Sequence, residues 1–136
     1  MHKPIIIFLF CCLFLHTNAQ KKKEKEPAMN IRQYFFVLLT KGPNRNQDSA
    51  TASVIMKGHL GNMQKMYEEG KLKVAGPFDG DEDWQGIFIF DCNNQTEVEA
   101  LLKTDPAIKA GRLNYTIKAW YTEPSGNFKP GKPIKK

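Results

Sequence analysis

Apolar positions recur along this chain at two different periods, and each change of period marks an element. Gln33-Tyr34-Phe35-Phe36-Val37-Leu38-Leu39-Thr40 is rich in aromatic and β-branched residues and closes on the turn signal Lys41-Gly42-Pro43-Asn44, so it reads as a strand apolar on both faces. Asp48 or Ser49 then caps a long helix that runs to about Glu69 and stops at Gly70. Leu72 to Gly76 is a short strand, Pro77 to Asp83 an acidic loop, and Trp84 to Phe90 the next strand, in which Gly86-Ile87-Phe88-Ile89-Phe90 is again apolar on both faces. Thr96-Glu97-Val98-Glu99 has the form of a capping box and opens a short helix with Val98, Leu101 and Leu102 inward. Asp105-Pro106-Ala107-Ile108-Lys109-Ala110-Gly111 is a second helical turn stopped by glycine. Leu113 to Tyr121 alternates, with Leu113, Tyr115, Ile117, Ala119 and Tyr121 on one side.

The order β-α-β-β-α-β predicts an α+β, ferredoxin-like domain, an antiparallel sheet with two helices on one face. Two helices cover only that face, yet the first and third strands are apolar on both. The second face therefore needs a cover, and the economical one is a second copy of the chain, sheet against sheet, in a barrel-like homodimer.

The ends differ from the middle. Residues 1–19 combine a short basic start, an apolar run from Ile5 to Leu15 and Ala19 at the cut, which describes a signal peptide and export to a secreted or periplasmic location. The apolar run falls short of the roughly 20 residues of a bilayer-crossing helix, so no stable membrane span is expected. A lipidated Cys11 or Cys12 is the lesser alternative, because Phe10 is bulky where processing wants a small residue. Cleavage removes two of the three cysteines and leaves Cys92 with no partner for an internal disulfide. Loss of Lys3 takes the 20 basic residues to 19 against 14 acidic ones, a net charge of +5. Much of that charge lies in a linker, 20–30, and in a Pro/Gly/Lys-rich tail, 123–136. The folded domain, 31–122, is close to neutral, so the basic balance describes tails and not a nucleic-acid groove.

Within the domain the chemistry centres on His59. Ala52, Ile55, Met56, Met63 and Met66 share its side of the helix at about 100° per residue, and an imidazole on an apolar face needs a partner. A backbone carbonyl or water would make it a core histidine; a carboxylate would make it a proton carrier. Gly58 and Gly61 each weaken the helix by about 1 kcal/mol relative to alanine, which implies close approach of a strand or a ligand. Metal binding is not expected, since His59 is the one histidine after cleavage and Asp79, Asp81, Glu82 and Asp83 do not have calcium-loop spacing. Those acids read as a solvated turn or a lid, and Cys92 as a strand-end thiol. RNA-recognition modules share the element order, but Ile87 and Ile89 stand where stacking rings are wanted, so no nucleic acid is expected.

Tyr34-Phe35-Phe36-Val37-Leu38-Leu39, Gly58-His59-Leu60, Glu69-Gly70-Lys71-Leu72, Ala75-Gly76-Pro77, Asp105-Pro106-Ala107-Ile108-Lys109-Ala110-Gly111 and Ile117-Lys118-Ala119-Trp120, in that order, resemble the YCII-related family over about residues 31 to 121. The resemblance implies a dimeric ferredoxin-like α+β barrel and an active-site pair of histidine and aspartate, which falls on His59 and Asp105. It also implies acid–base chemistry on a small organic molecule with no metal or organic cofactor. The chain departs from the family in its leader, tether and tail, and in having Met56-Lys57-Gly58 where an arginine-proline pair is often found before the histidine. From the residues alone, Asp105 before Pro106 reads as a helix cap, and the pairing with His59 is what the resemblance adds. Tyr34, Gly76, Phe78 and Tyr115 are the candidate substrate contacts. Two readings follow: an exported acid–base enzyme, or a non-catalytic small-ligand-binding or structural dimer of the same fold.

Overall fold

The computed structural model describes residues 29–80 and 82–123; the expected signal peptide, most of the linker and all but the first residue of the tail lie outside them. Strand β1 spans Arg32–Lys41, helix α1 Ser49–Glu68, β2 Leu72–Pro77, β3 Trp84–Phe90, α2 Gln95–Leu102, α3 Pro106–Lys109 and β4 Leu113–Thr122. The four strands form one antiparallel sheet in the order β2-β3-β1-β4, with α1 and α3 packed together beside it. This is the ferredoxin-like arrangement that the element order predicts.

The local causes are mostly visible. Asp48 caps α1: Thr51 N donates to its Oδ1 at 2.8 Å and Thr51 Oγ1 to its Oδ2 at 2.9 Å. Gly70, at φ +73°, ends the helix in the left-handed conformation that other residues adopt only with strain. Pro77 is tolerated because β2 is an edge strand. The cap of α2 differs from the expected one. Asn94, not Thr96, accepts from Glu97 N at 2.9 Å, and the Glu97 carboxylate reaches back to Asn93 N at 2.8 Å. The cap begins two residues earlier, since asparagine caps as well as threonine and starts the helix at Gln95, and Glu97 at the third helical position bonds the amide before the cap and not the cap's own.

Strand alternation divides the sheet. Phe35, Val37 and Leu39 of β1 and Phe88 and Phe90 of β3 point to the helices and form the core with Met66, Leu72, Val98, Leu102 and Ala107. Phe36 and Leu38, paired with Ile89 and Ile87, occupy the far face with Val74 of β2. On that face Tyr34 and Trp120 meet with ring centroids 6.3 Å apart.

The two helical glycines flanking His59 have different neighbours. A Cβ at Gly58 would stand 2.9 Å from Pro106 Cγ, whereas one at Gly61 would meet nothing within 4 Å. The close approach implied by the sequence therefore comes from α3, and only at Gly58. A second tight crossing joins the end of β1 to the turn before β4: Gly42 N donates to Arg112 O at 3.0 Å, and a Cβ at Gly42 would lie 2.2 Å from Gly111 O. Gly42→Ala should lower stability by about 1–3 kcal/mol through backbone displacement. Gly61→Ala should raise it by about 0.5–1 kcal/mol through helix propensity. Thermal unfolding of the two variants checks both signs, and a stabilised Gly42→Ala would refute the crossing.

Candidate active site

His59 is set by α1 and Asp105 by the start of α3. Asp105 is fully buried and sits immediately before Pro106, where the first amides of a helix need an acceptor. Ala107 N and Ile108 N donate to its Oδ1 at 2.8 and 3.3 Å. Its other oxygen, Oδ2, lies 2.7 Å from His59 Nδ1. The cap and the histidine partner are thus one carboxylate using its two oxygens separately. Gly58 permits the geometry: one residue before His59, it lets the Pro106 ring close on α1, and Asp105 comes with it. Asn62, one turn after His59, extends the group. Its Nδ2 donates to Asp105 Oδ2 at 3.5 Å and its Oδ1 accepts from Thr104 Oγ1 at 3.1 Å.

Burial pushes the Asp105 carboxyl up, but the hydrogen bond and charge of His59, with the Ala107 and Ile108 amides, outweigh it and hold the group below its ordinary value of 3.8. Asp105 is therefore an anion at neutral pH, an acceptor at both oxygens. An anionic acceptor at Nδ1 places the neutral imidazole's proton on that nitrogen and leaves Nε2 bare. Nε2 has no hydrogen-bond partner among the described residues, and no fully buried side-chain nitrogen or oxygen there lacks one, so Nε2 opens on the cleft that His59 lines. The Phe88 ring lies beside the imidazole, centroids 6.0 Å apart and planes 23° apart, and limits its rotation.

The cleft measures about 320 Å³. Met56, Leu60 and Met63 of α1 form one wall, Gly76 and Phe78 another, and Phe88 lies beneath. Met56 is 39% exposed, so the apolar face of α1 serves partly as this wall and not wholly as core. Of the four residues expected to touch a substrate, Gly76 and Phe78 line the cleft. Tyr34 does not. Alternation that points Phe35 into the core turns Tyr34 to the opposite face of the sheet, beside Trp120. Tyr115 faces the helices through its pairing with Leu39, but it packs half-buried against the core and does not line the cleft. Gln85 and Asn62 are not among the expected site residues, and Leu60 enters the sequence reading only within the Gly58-His59-Leu60 motif. Asn62 alone carried a usable signal, its helical spacing of three from His59.

The acidic loop contributes Gly80 to the cleft's lining and leaves Asp79, Glu82 and Asp83 exposed. Among the described residues no three His, Cys, Asp or Glu side chains gather as a metal site. Burial, then the Glu97 carboxylate, pushes the Cys92 thiol up to about 11, so it stays protonated and unreactive at neutral pH.

Residues 34–121 match the YCII-related domain. The chain belongs to the YCII-related family. Among solved structures it is similar to muconolactone isomerase, at 16% identity and a TM-score of 0.56, covering 73% of this chain and 99% of that one. It is also similar to 5-chloro-2-hydroxyhydroquinone dehydrochlorinase from Burkholderia phenoliruptrix AC1100, in complex with 2,5-dihydroxybenzoquinone. That match has 22% identity, a TM-score of 0.48, and covers 63% of this chain and 92% of that one. A third is a dimeric protein of unknown function and ferredoxin-like fold from Bacteroides fragilis NCTC 9343, at 12% identity and a TM-score of 0.38, covering 67% and 95%. Curated proteins gave no match. The likeness to muconolactone isomerase establishes the fold that this YCII-related chain shares with it.

The lowered Asp105 carboxyl fixes the sign of a pH effect. Its contribution to stability is complete above the unfolded value of 3.8 and disappears as pH falls through the lower folded value. Acid unfolding of the wild type and Asp105→Asn should therefore show a stability difference at neutral pH that closes below that value. Parallel curves through the acid range would contradict the buried, partnered carboxylate.

Proposed function

We propose that this YCII-related protein is an acid–base enzyme acting on a small organic molecule, with His59 as the proton carrier and Asp105 as its positioning residue. The observation that carries the reading is the 2.7 Å contact between Asp105 Oδ2 and His59 Nδ1 at the floor of an apolar cleft. In this reading Nε2 takes a proton from one atom of the bound molecule and returns it to another, the chemistry of an isomerase or of a lyase that expels a leaving group. Asp105 stays ionised throughout and stabilises the imidazolium that forms between the two transfers. Nothing in the scheme asks for an oxidant, a metal or an organic cofactor. Gly76 and Phe78 take the role of substrate walls; Tyr34 and Tyr115 are given none.

The test is the imidazole's tautomer. Nitrogen NMR of the neutral His59 ring should show the proton on Nδ1 and a bare Nε2. Asp105→Asn should abolish that preference while the short helix persists, because asparagine still caps. A proton found on Nε2 in the wild type would remove the acid–base reading and leave a binding domain.

The far face of the sheet supports a homodimer. Tyr34, Phe36, Leu38, Val74 and Ile87 are half-buried there with no helix over them, an area too apolar to face water by design. A second copy laid sheet to sheet covers it by symmetry. Light scattering at micromolar concentration should give twice the chain mass, and Leu38→Lys should halve it. A wild type that stays monomeric would end the proposal.

A further inference from the structure

We infer that the cleft selects uncharged, largely apolar molecules of ring size and rejects carboxylates. The inference rests on the reading of the cleft as the substrate site. Its first support is the composition of the walls: among the described residues no lysine or arginine lines the cleft, and Gln85 and His59 are the polar side chains that do. Gln85 is partly committed, its Nε2 donating to Glu82 O at 2.8 Å. His59 is committed too, its Nδ1 held by a carboxylate that is itself fully buried. A carboxylate in the cleft would therefore enter beside an existing buried anion, with one imidazole to be shared between two negative groups. An anion withdrawn from water without a counter-charge is expensive.

Two neighbouring cations are engaged elsewhere. Lys73 borders the next groove along α1 and β2, not this cleft, and its Nζ stands 3.5 Å from Asp91 Oδ2. Arg112 adjoins Leu113 of the cleft, but its Nη1 donates to Gln47 Oε1 at 2.9 Å. The adjoining loop adds the opposite sign. Asp79, Glu82 and Asp83 are exposed on the segment that gives Phe78 and Gly80 to the cleft, and the Gln85 bond ties that segment to the wall. The loop thus disfavours anions, and among the described residues the interior offers them no cationic side chain. An uncharged ring meets neither obstacle. It gains contact with Met56, Leu60, Phe78 and Phe88 and presents one polar atom to Nε2.

Matched pairs of probes test this directly: benzamide against benzoate, and cyclohexanecarboxamide against cyclohexanecarboxylate, titrated into the full chain while the His59 and Phe88 ring signals are followed. Each amide should bind roughly tenfold or more tightly than its acid. Leu60→Lys, at an exposed cleft-lining position, should raise acid affinity and narrow the gap. Acids that bind as well as the amides would overturn the inference, as would saturable shifts from neither kind or a Leu60→Lys variant with an unchanged gap. The tautomer measurement involves no ligand, so failure here is distinguishable from failure of the acid–base reading.

Discussion

A buried carboxylate is tolerated only when its charge is answered on every side, and that requirement at Asp105 organises this molecule. Oδ1 is answered by two amides that exist as donors only while α3 is helical, and Oδ2 by an imidazole that points inward only while α1 is docked. Burial works against the charge and the donors reverse it. A helix of four residues has no independent stability in water. Here α3 is held by its own cap, and the cap is held by a residue 46 positions earlier in sequence. The choice between a helix cap and a histidine partner, which the sequence leaves open, is a false one, because a carboxylate has two oxygens.

The elements were largely legible because their signals are local. Period-two alternation and the Gly70 stop need no knowledge of the rest of the chain and appear in the fold as read, and of the two candidate caps, Asp48 and Ser49, the structure uses Asp48. Thr96 as a cap was less secure for the same reason. Asn94 has equal chemistry two residues earlier, and which one starts the helix depends on where the chain leaves β3. The site was legible as a pair of residue types but not as a surface. Alternation states that Tyr34 and Phe35 face opposite ways without stating which way is toward the helices. That sign is set by the side of the sheet on which the helices dock, a long-range fact. Gly58 shows the intermediate case: a glycine in a helix announces a neighbour, and only the structure names it as Pro106.

The same sheet serves two different demands. On the helix side, Phe88 packs against Phe90 edge to face, centroids 5.7 Å apart, and lies beside His59, so core packing and the orientation of the imidazole are one arrangement. On the other side, Phe36, Leu38 and Ile87 contribute nothing to a single copy's core and are nonetheless apolar. Polar residues there would make a better monomer, and Thr116 and Lys118 of β4 show that the face accepts them. The apolar patch is concentrated on β1 and β3, the middle strands, where a facing sheet would bury it most completely.

The chain's charge distribution separates solubility from recognition. Its formal net charge of +6 is concentrated toward the ends of the sequence, while the domain between them is close to neutral. Against the background of a basic protein, a cleft whose described lining holds no lysine or arginine, beside a loop of exposed acids, is a local exception. On the proposed reading the exception follows from Asp105. Once a buried anion is placed behind the imidazole to fix its tautomer, a cation added in front would compete for the electron pair on Nε2 by polarising or occupying whatever meets it there. A base is useful only while that pair stays available. On the proposed acid–base reading, leaving the front of the ring to apolar walls keeps the Nε2 electron pair free, and a substrate would be chosen by shape and by having one proton to give.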